Sequence, residues 1–189
     1  MKNNQLALVL ILLAALWRVV IVHHPMLFNV APITALAFCG AVYFRDWRLV
    51  LVPFAALTLS DFWLNHYHAT RFGYTWSGVE ALLRALCLLA ALGLGRLVAP
   101  RRNALTLLAG AMGSALIFYF ATNTVAWFGD AFYAKSLAGW WQALTVGHPE
   151  FPPTLWFFRN TLAGDLGFTA LFVGALELAA TRQHESVHA

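Results

Sequence analysis

Charge is scarce in this chain. Charged residues occupy 11% of its 189 positions, against roughly 25% in an ordinary soluble domain. That scarcity excludes a globule wetted on all sides. Cysteine is scarce too: Cys39 and Cys87 stand singly in apolar runs, which argues against a disulfide framework. Before the polar tail 181–189, no HxxxH or HExxH spacing occurs, so none of the apolar stretches offers a ready pair of metal-ligating histidines. There is no internal repeat and no low-complexity segment. The net charge of +4 comes from basic residues scattered along the chain, a pattern that does not suggest nucleic acid as a partner. What remains is apolar. Hydrophobic residues make up 61%, and the mean hydropathy is +0.69. This is the composition of an integral membrane protein, with the lipid bilayer as its solvent.

Six apolar stretches are long enough to matter: 5–22, 30–44, 48–64, 77–98, 104–127 and 155–180. The expected fold is all-α, with six transmembrane helices in one bundle and a single domain over 1–180. The tail 181–189 is short and polar and is expected to be disordered. Lys2 and the run 6–16 resemble the first two regions of a secretory signal. The apolar stretch continues through Trp17 and 19–22 without a small-x-small cleavage site, so a retained first helix is expected. The second stretch is short and opens with Pro32, where proline is tolerated. The third carries Pro53 in its first turns. The long connection 128–154 contains an amphipathic helix at 135–145 with Trp140 and Trp141. Gly147, Pro149, Pro152 and Pro153 then break regular structure.

Basic residues orient the bundle. With the N-terminus inside, one side holds Lys2, Arg45, Arg48, Arg96, Arg101, Arg102 and Arg182, and the other only Arg71 and Lys135. That bias places both termini in the cytoplasm. Polar residues then gather at one depth, in the outer leaflet: Arg18, Asn29, Asp61, Asn65, His66, His68, Glu80, Asn123, Arg159 and Asn160. The inner halves are mostly Leu, Val, Ala and Gly. A cavity open to the outside and closed below by apolar packing is the expected arrangement. The alternative is interfacial residues reaching for headgroups. Asp61, Asn123 and Asp165 favour the cavity, because their side chains are too short to reach far.

The charges within apolar stretches need partners, since a charge in hydrocarbon costs roughly 2.5–3.5 kcal/mol on insertion scales. Arg159 and Asp61 lie at similar depth. They are expected either to pair with each other or to bind a ligand's carboxylate and amine. Asp165 lies about 9 Å deeper than Arg159 at a 1.5 Å rise and on another face. Arg18, Arg84, or Thr and Asn donors are its candidate partners. Glu80 and Arg84, spaced i, i+4, are expected to satisfy each other. Ala163, Gly167, Ala170 and Gly174 form a small-residue stripe expected to pack closely against a neighbour. Cys39, Cys87, His66 and His68 are weak candidates for a metal. Cys39 and Cys87 read more simply as packed thiols. No mid-helix histidine suits haem.

The order of residues is informative as a whole. It runs Asn29-Val30-Ala31-Pro32, then Leu59-Ser60-Asp61, then Thr122-Asn123, Trp127, Tyr133 and Gly139. It closes on Phe157-Phe158-Arg159-Asn160-Thr161-Leu162-Ala163-Gly164-Asp165-Leu166-Gly167-Phe168-Thr169. This order resembles a family of small, largely uncharacterised bacterial membrane proteins assigned to transport. That family in turn resembles the substrate-binding S components of energy-coupling-factor vitamin transporters. The resemblance implies a bacterial inner-membrane protein that takes up a vitamin-like nutrient from outside, with cobalamin or a precursor as one candidate. It also implies an energising module as partner. Several S components dock that module through an Ala-x-x-x-Ala face on helix 1, and Ala7, Ala14 and Ala15 do not have that spacing.

The expected function is therefore binding of a small water-soluble nutrient, with no resident cofactor and no catalytic residue. Its candidate site comprises Asn29, Asp61, His66, Asn123, Arg159, Asn160 and Asp165, with Trp63, Tyr67, Trp76 and Trp127 available to stack on a flat ring. The rivals are a membrane enzyme acting on lipid or quinone through Asp61 or Asp165, and a ligand-free assembly factor that uses the small-residue stripes.

Overall fold

A short helix lies at the centre of the protein. The computed structural model describes residues 2–24, 27, 29–44, 46–73, 75 and 77–188, and the side chains of all of these except 2, 3, 72 and 182–188. Seven α-helices account for most of the described residues: α1 Lys2–Ile21, α2 Ile33–Tyr43, α3 Trp47–Phe72, α4 Gly78–Val98, α5 Ala104–Gly129, α6 Leu137–Leu144 and α7 Thr154–His188. A 3-10 turn, Ala99–Arg101, joins α4 to α5.

Five of these helices, α1, α3, α4, α5 and α7, are long and apolar enough to cross a membrane. The expected count was six, and α2 is the difference. Its 11 residues rise about 16 Å at 1.5 Å each, against a hydrocarbon core of roughly 30 Å. Every residue from Thr34 to Val42 is buried. A helix that is apolar all round belongs inside a protein, and α2 is wrapped by α3, α4, α5 and α7. Small residues permit the wrapping. A Cβ on Gly95 would stand 2.5 Å from the Phe38 carbonyl oxygen, so α4 presses on the α2 backbone itself. The Phe38 ring fills the space over Gly110, where a Cβ would lie 2.5 Å from it.

Contacts give each helix a direction. Arg18 meets Leu57 and Ser60, and His23 meets Trp63 and Tyr67, so α1 and α3 run parallel. Thr34 meets Asp165, Cys39 meets Thr169, and Tyr43 meets Phe172, so α2 runs parallel to α7. Helix α5 opposes both α4, where Arg84 meets Phe118, and α7, where Tyr119 meets Phe158. One end of the bundle gathers Arg48, Arg96, Arg101 and Arg102. There Arg96 donates to the Phe44 carbonyl at 2.8 Å, and Arg102 lies over the Tyr43 ring.

Local signals set the helix ends. Ser77 and Glu80 form a capping box at α4, and Asn103 and Thr106 form one at α5. Helix α3 runs past the expected end at 64, through the polar residues 65–71, because polar residues stay helical where the chain clears the hydrocarbon. It stops at Gly73, whose left-handed φ of 67° lets its N–H reach the Ala69 carbonyl. Helix α6 lies within the expected 135–145. Helix α7 continues to His188, through the segment expected to be disordered.

The small-residue stripe on α7 does not pack as expected. Ala163, Gly167, Ala170 and Gly174 are exposed, and a Cβ on Gly167 or Gly174 would meet nothing within 4 Å. The close approach occurs one turn earlier: a Cβ on Gly164 would lie 2.8 Å from the Ala31 nitrogen. Gly164→Leu is therefore expected to destabilise the protein by about 1–3 kcal/mol or more through overpacking. Gly167→Leu should stay within about 0.5 kcal/mol of the parent. Paired thermal melts in detergent check this contrast, and equal losses would refute it.

Candidate functional site

Asp165 is fully enclosed, with 0% exposure, and its position follows from how α2 begins. Pro32 precedes α2 and supplies no side-chain cap, so the first N–H groups of α2 need an acceptor from elsewhere. Asp165 provides it. Its Oδ1 accepts from the Thr34 N–H at 3.1 Å and the Ala35 N–H at 2.9 Å, and its Oδ2 accepts from the Thr34 hydroxyl at 2.7 Å. A negative charge there also meets the positive end of the helix dipole. Asn29 turns the chain into this joint at φ 65°, a conformation Asn tolerates well. The Trp17 indole donates to the Val30 carbonyl at 2.8 Å. The Asn29–Pro32 and Gly164–Asp165 motifs are thus two halves of one structural joint.

Beside the joint lies a chain of charges. Buried Arg18 donates to the Asp61 carboxylate, to the Ser60 hydroxyl at 2.5 Å and to the Leu57 carbonyl at 3.4 Å. Its Nε is buried with no hydrogen-bond partner among the described residues. Arg84 reaches the same Asp61 oxygen from the other side at 3.8 Å. The expected Arg159–Asp61 pair does not form. Arg159 is exposed, lies over the Trp156 ring at 5.7 Å and donates to the neighbouring Asn160 side chain at 3.3 Å. The two α-helices that carry Arg18 and Asp61 pack directly, whereas α3 and α7 share no substantial packing among the described residues. Glu80, expected to pair with Arg84, accepts from the Ser77 N–H at 2.7 Å.

The cavity opens at the end of the bundle opposite the arginine cluster. It holds about 310 Å³ and is walled by α4, α5, the start of α7 and the connection between α5 and α7. Of the expected site residues, Asn29 and Asn123 line it. Asp61, His66, Arg159, Asn160 and Asp165 do not. His66 is exposed on α3, and Asn160 is buried in α7. The expected stacking residues lie elsewhere. Trp63 and Tyr67 stack on each other with centroids 5.5 Å apart, Trp127 donates to the Ala134 carbonyl, and Trp76 lies outside the described residues. The cavity's rings include Phe118, Tyr119, Phe151, Phe157 and Phe158, with Arg84 as a cation and Thr122, Tyr133 and His148 among its further polar groups. Arg84 had a sequence signal, a lone charge in an apolar helix. The i, i+4 spacing to Glu80 diverted it.

The connection over the cavity is anchored. The Tyr119 hydroxyl donates to the Leu144 carbonyl, and the Trp140 indole donates to the Thr124 hydroxyl at 3.0 Å. Gly139 sits so close to the Ala134 carbonyl that no side chain fits there. Burial, then the charge of Asp130, pushes the Tyr133 hydroxyl's pKa up, so this phenol remains a neutral donor. A more open hollow of about 490 Å³ lies at the arginine-rich end between the start of α5 and α7. It is walled by two elements alone and has no aromatic ring.

Among the described residues no three His, Cys, Asp or Glu side chains converge. Cys39 and Cys87 are buried, and the Cys39 thiol lies 3.8 Å from the Thr169 hydroxyl. The His68 ring nitrogen contacts the Leu64 carbonyl at 2.6 Å.

These observations define a helical membrane protein with an aromatic and polar cavity at one end. The chain matches DUF6580, a family of unknown function, over residues 1–187, and it belongs to that family. The family carries no assigned activity, so it lends no support to the resemblance to S components. Comparison with curated proteins and with solved structures returns no match.

Proposed function

We propose that this protein binds a small water-soluble solute in the cavity between α4, α5 and α7, open to the outer face of a bacterial inner membrane, for uptake. One observation carries the reading. Polar side chains from several elements converge with aromatic rings on a single hollow, while α2 and its neighbours form an apolar core beyond it. A pocket with many apolar walls and a few convergent polar groups is the usual form of a small-molecule site.

The helix directions support six passes. The segment from Val30 to Asp46, with α2 at its centre, returns the chain to the arginine-rich end before α3 begins. Both termini then lie on that end, and its arginines make it the cytoplasmic side. Cobalamin is a poor fit by size: about 310 Å³ is at the low end of the roughly 300–1,000 Å³ range of small-molecule sites. A single-ring nutrient fits better. Docking of an energising module through α1 has little support, since Ala7 and Ala14 face inward and the exposed face carries Leu12, Leu13, Leu16 and Trp17.

The test is mass spectrometry of small molecules that co-purify with the protein. A bound solute is expected with the parent. Thr122→Trp, which fills the cavity, should remove it, and Asn123→Ala should reduce it. A solute retained equally by both variants would refute the site. A second reading, a ligand-free assembly factor, is favoured by the exposed Ala163, Gly167, Ala170 and Gly174 face of α7. It predicts no co-purifying solute.

A further inference from the structure

We propose that the hollow at the arginine-rich end, between the start of α5 and α7, holds the headgroup of an aminophospholipid of the phosphatidylethanolamine type. The inference rests on the membrane class of the protein and not on the cavity at the other end. The hollow of about 490 Å³ is lined by Arg102, Asn103, Ala104 and Leu107 from the start of α5, and by Val173 and Glu177 from α7. Its polarity is layered. Arg102, Asn103 and Glu177 are exposed at the rim. Leu107 lies one turn inward of Asn103, and Val173 one turn inward of Glu177, about 6 Å nearer the bilayer centre at a 1.5 Å rise. Leu107 is buried, and Val173 packs on the core. A phospholipid has the same gradient, a charged head over an apolar body.

The charges at the rim choose the lipid. Glu177 falls inside the apolar span Thr154–Thr181, where a carboxylate needs a partner. Among the described residues, neither Glu177 nor Arg102 forms an ion pair or a side-chain hydrogen bond. The Tyr43 ring lies 5.2 Å from the Arg102 guanidinium carbon, which positions the cation without neutralising it. The hollow thus presents one cation and one carboxylate, on two helices and not bonded to each other. Phosphatidylethanolamine carries the matching pair. Its phosphate accepts from guanidinium N–H groups, and its ammonium donates to a carboxylate. Phosphatidylglycerol supplies the phosphate but no cation for Glu177. Phosphatidylcholine has a cation without N–H donors. Basic hollows between transmembrane helices are a common form of headgroup site.

The test is native mass spectrometry of the full chain, released from detergent micelles that contain equal amounts of palmitoyl-oleoyl phosphatidylethanolamine, phosphatidylglycerol and phosphatidylcholine. The ethanolamine lipid is expected on the protein about threefold more often than either of the others, the size of effect expected of one exposed ion pair. Glu177→Gln should remove that preference and leave the total lipid bound nearly unchanged. Glu177→Asp should keep part of it. Arg102→Gln should lower the loading of all three lipids, since all carry the phosphate. Arg101→Gln, which changes a neighbouring arginine outside the described lining, should keep the ranking. Should Arg102→Gln fail to fold, the ranking in the parent and in the two Glu177 variants decides the matter. Equal loading of the three lipids, which marks a non-selective annulus, overturns the proposal. So does a preference for phosphatidylglycerol, or an ethanolamine preference that survives Glu177→Gln.

Discussion

Asp165→Ala is expected to be the most damaging single substitution in this protein. Its carboxylate accepts from two backbone N–H groups and one hydroxyl at the start of α2, and all of these groups are buried. Each buried donor left without an acceptor costs about 1–3 kcal/mol, so a total of roughly 3–5 kcal/mol is expected after partial rearrangement. The consequence reaches the whole bundle, because α2 is the element on which α3, α4, α5 and α7 pack. Asp165→Asn keeps one acceptor oxygen and should lose less. Thr34→Val removes a single hydroxyl donor and should lose less still. Thermal melting and denaturant titration in micelles would give this order. If Asp165→Ala melts like the parent but loses a bound solute, the carboxylate is a ligand group and the joint described here is wrong.

Asp61→Ala is expected to follow closely. It strands Arg18, which is 3% exposed and already has one nitrogen without a hydrogen-bond partner among the described residues. Breaking a buried ion pair by removal of one member costs about 3–5 kcal/mol. The decisive measurement is the double replacement. Arg18→Met with Asp61→Leu removes both charges and leaves apolar side chains of similar volume. It should restore stability to near the parent level, since an apolar exchange of a buried pair is often neutral or favourable. Additive losses in that cycle would show that the two residues are not coupled. Arg84 would lose its Asp61 contact in the double variant, so solute binding in the cavity should change even where stability recovers. That separation distinguishes the structural member of the charge chain, Arg18, from the cavity member, Arg84.

The sequence by itself determined the class of this protein and much of its outline. The shortage of charge and the long apolar stretches demand a membrane solvent, and the ends of α1, α4 and α5 follow from composition and capping residues. The aromatic α6 was legible from its tryptophans and flanking breakers. It also marked the residues that matter, since each charge within an apolar stretch has to be satisfied. What it left open was which partner satisfies each. A sequence fixes the face of a residue relative to its own helix axis, but the rotation and neighbours of that helix are set by packing between helices. Tertiary structure therefore decided that Asp61 meets Arg18 and Arg84 rather than Arg159, and that Asp165 caps α2. It turned Gly164 inward and left Gly167 exposed, although the two are three residues apart. It also placed α2 at the centre, because small residues on α4 and α5 allow closer approach there than lipid-facing packing would. Arg84 became the cation of the cavity for the same reason: the rotation of α4 points it at Phe118 and Asp61, and no spacing along α4 alone contains that information.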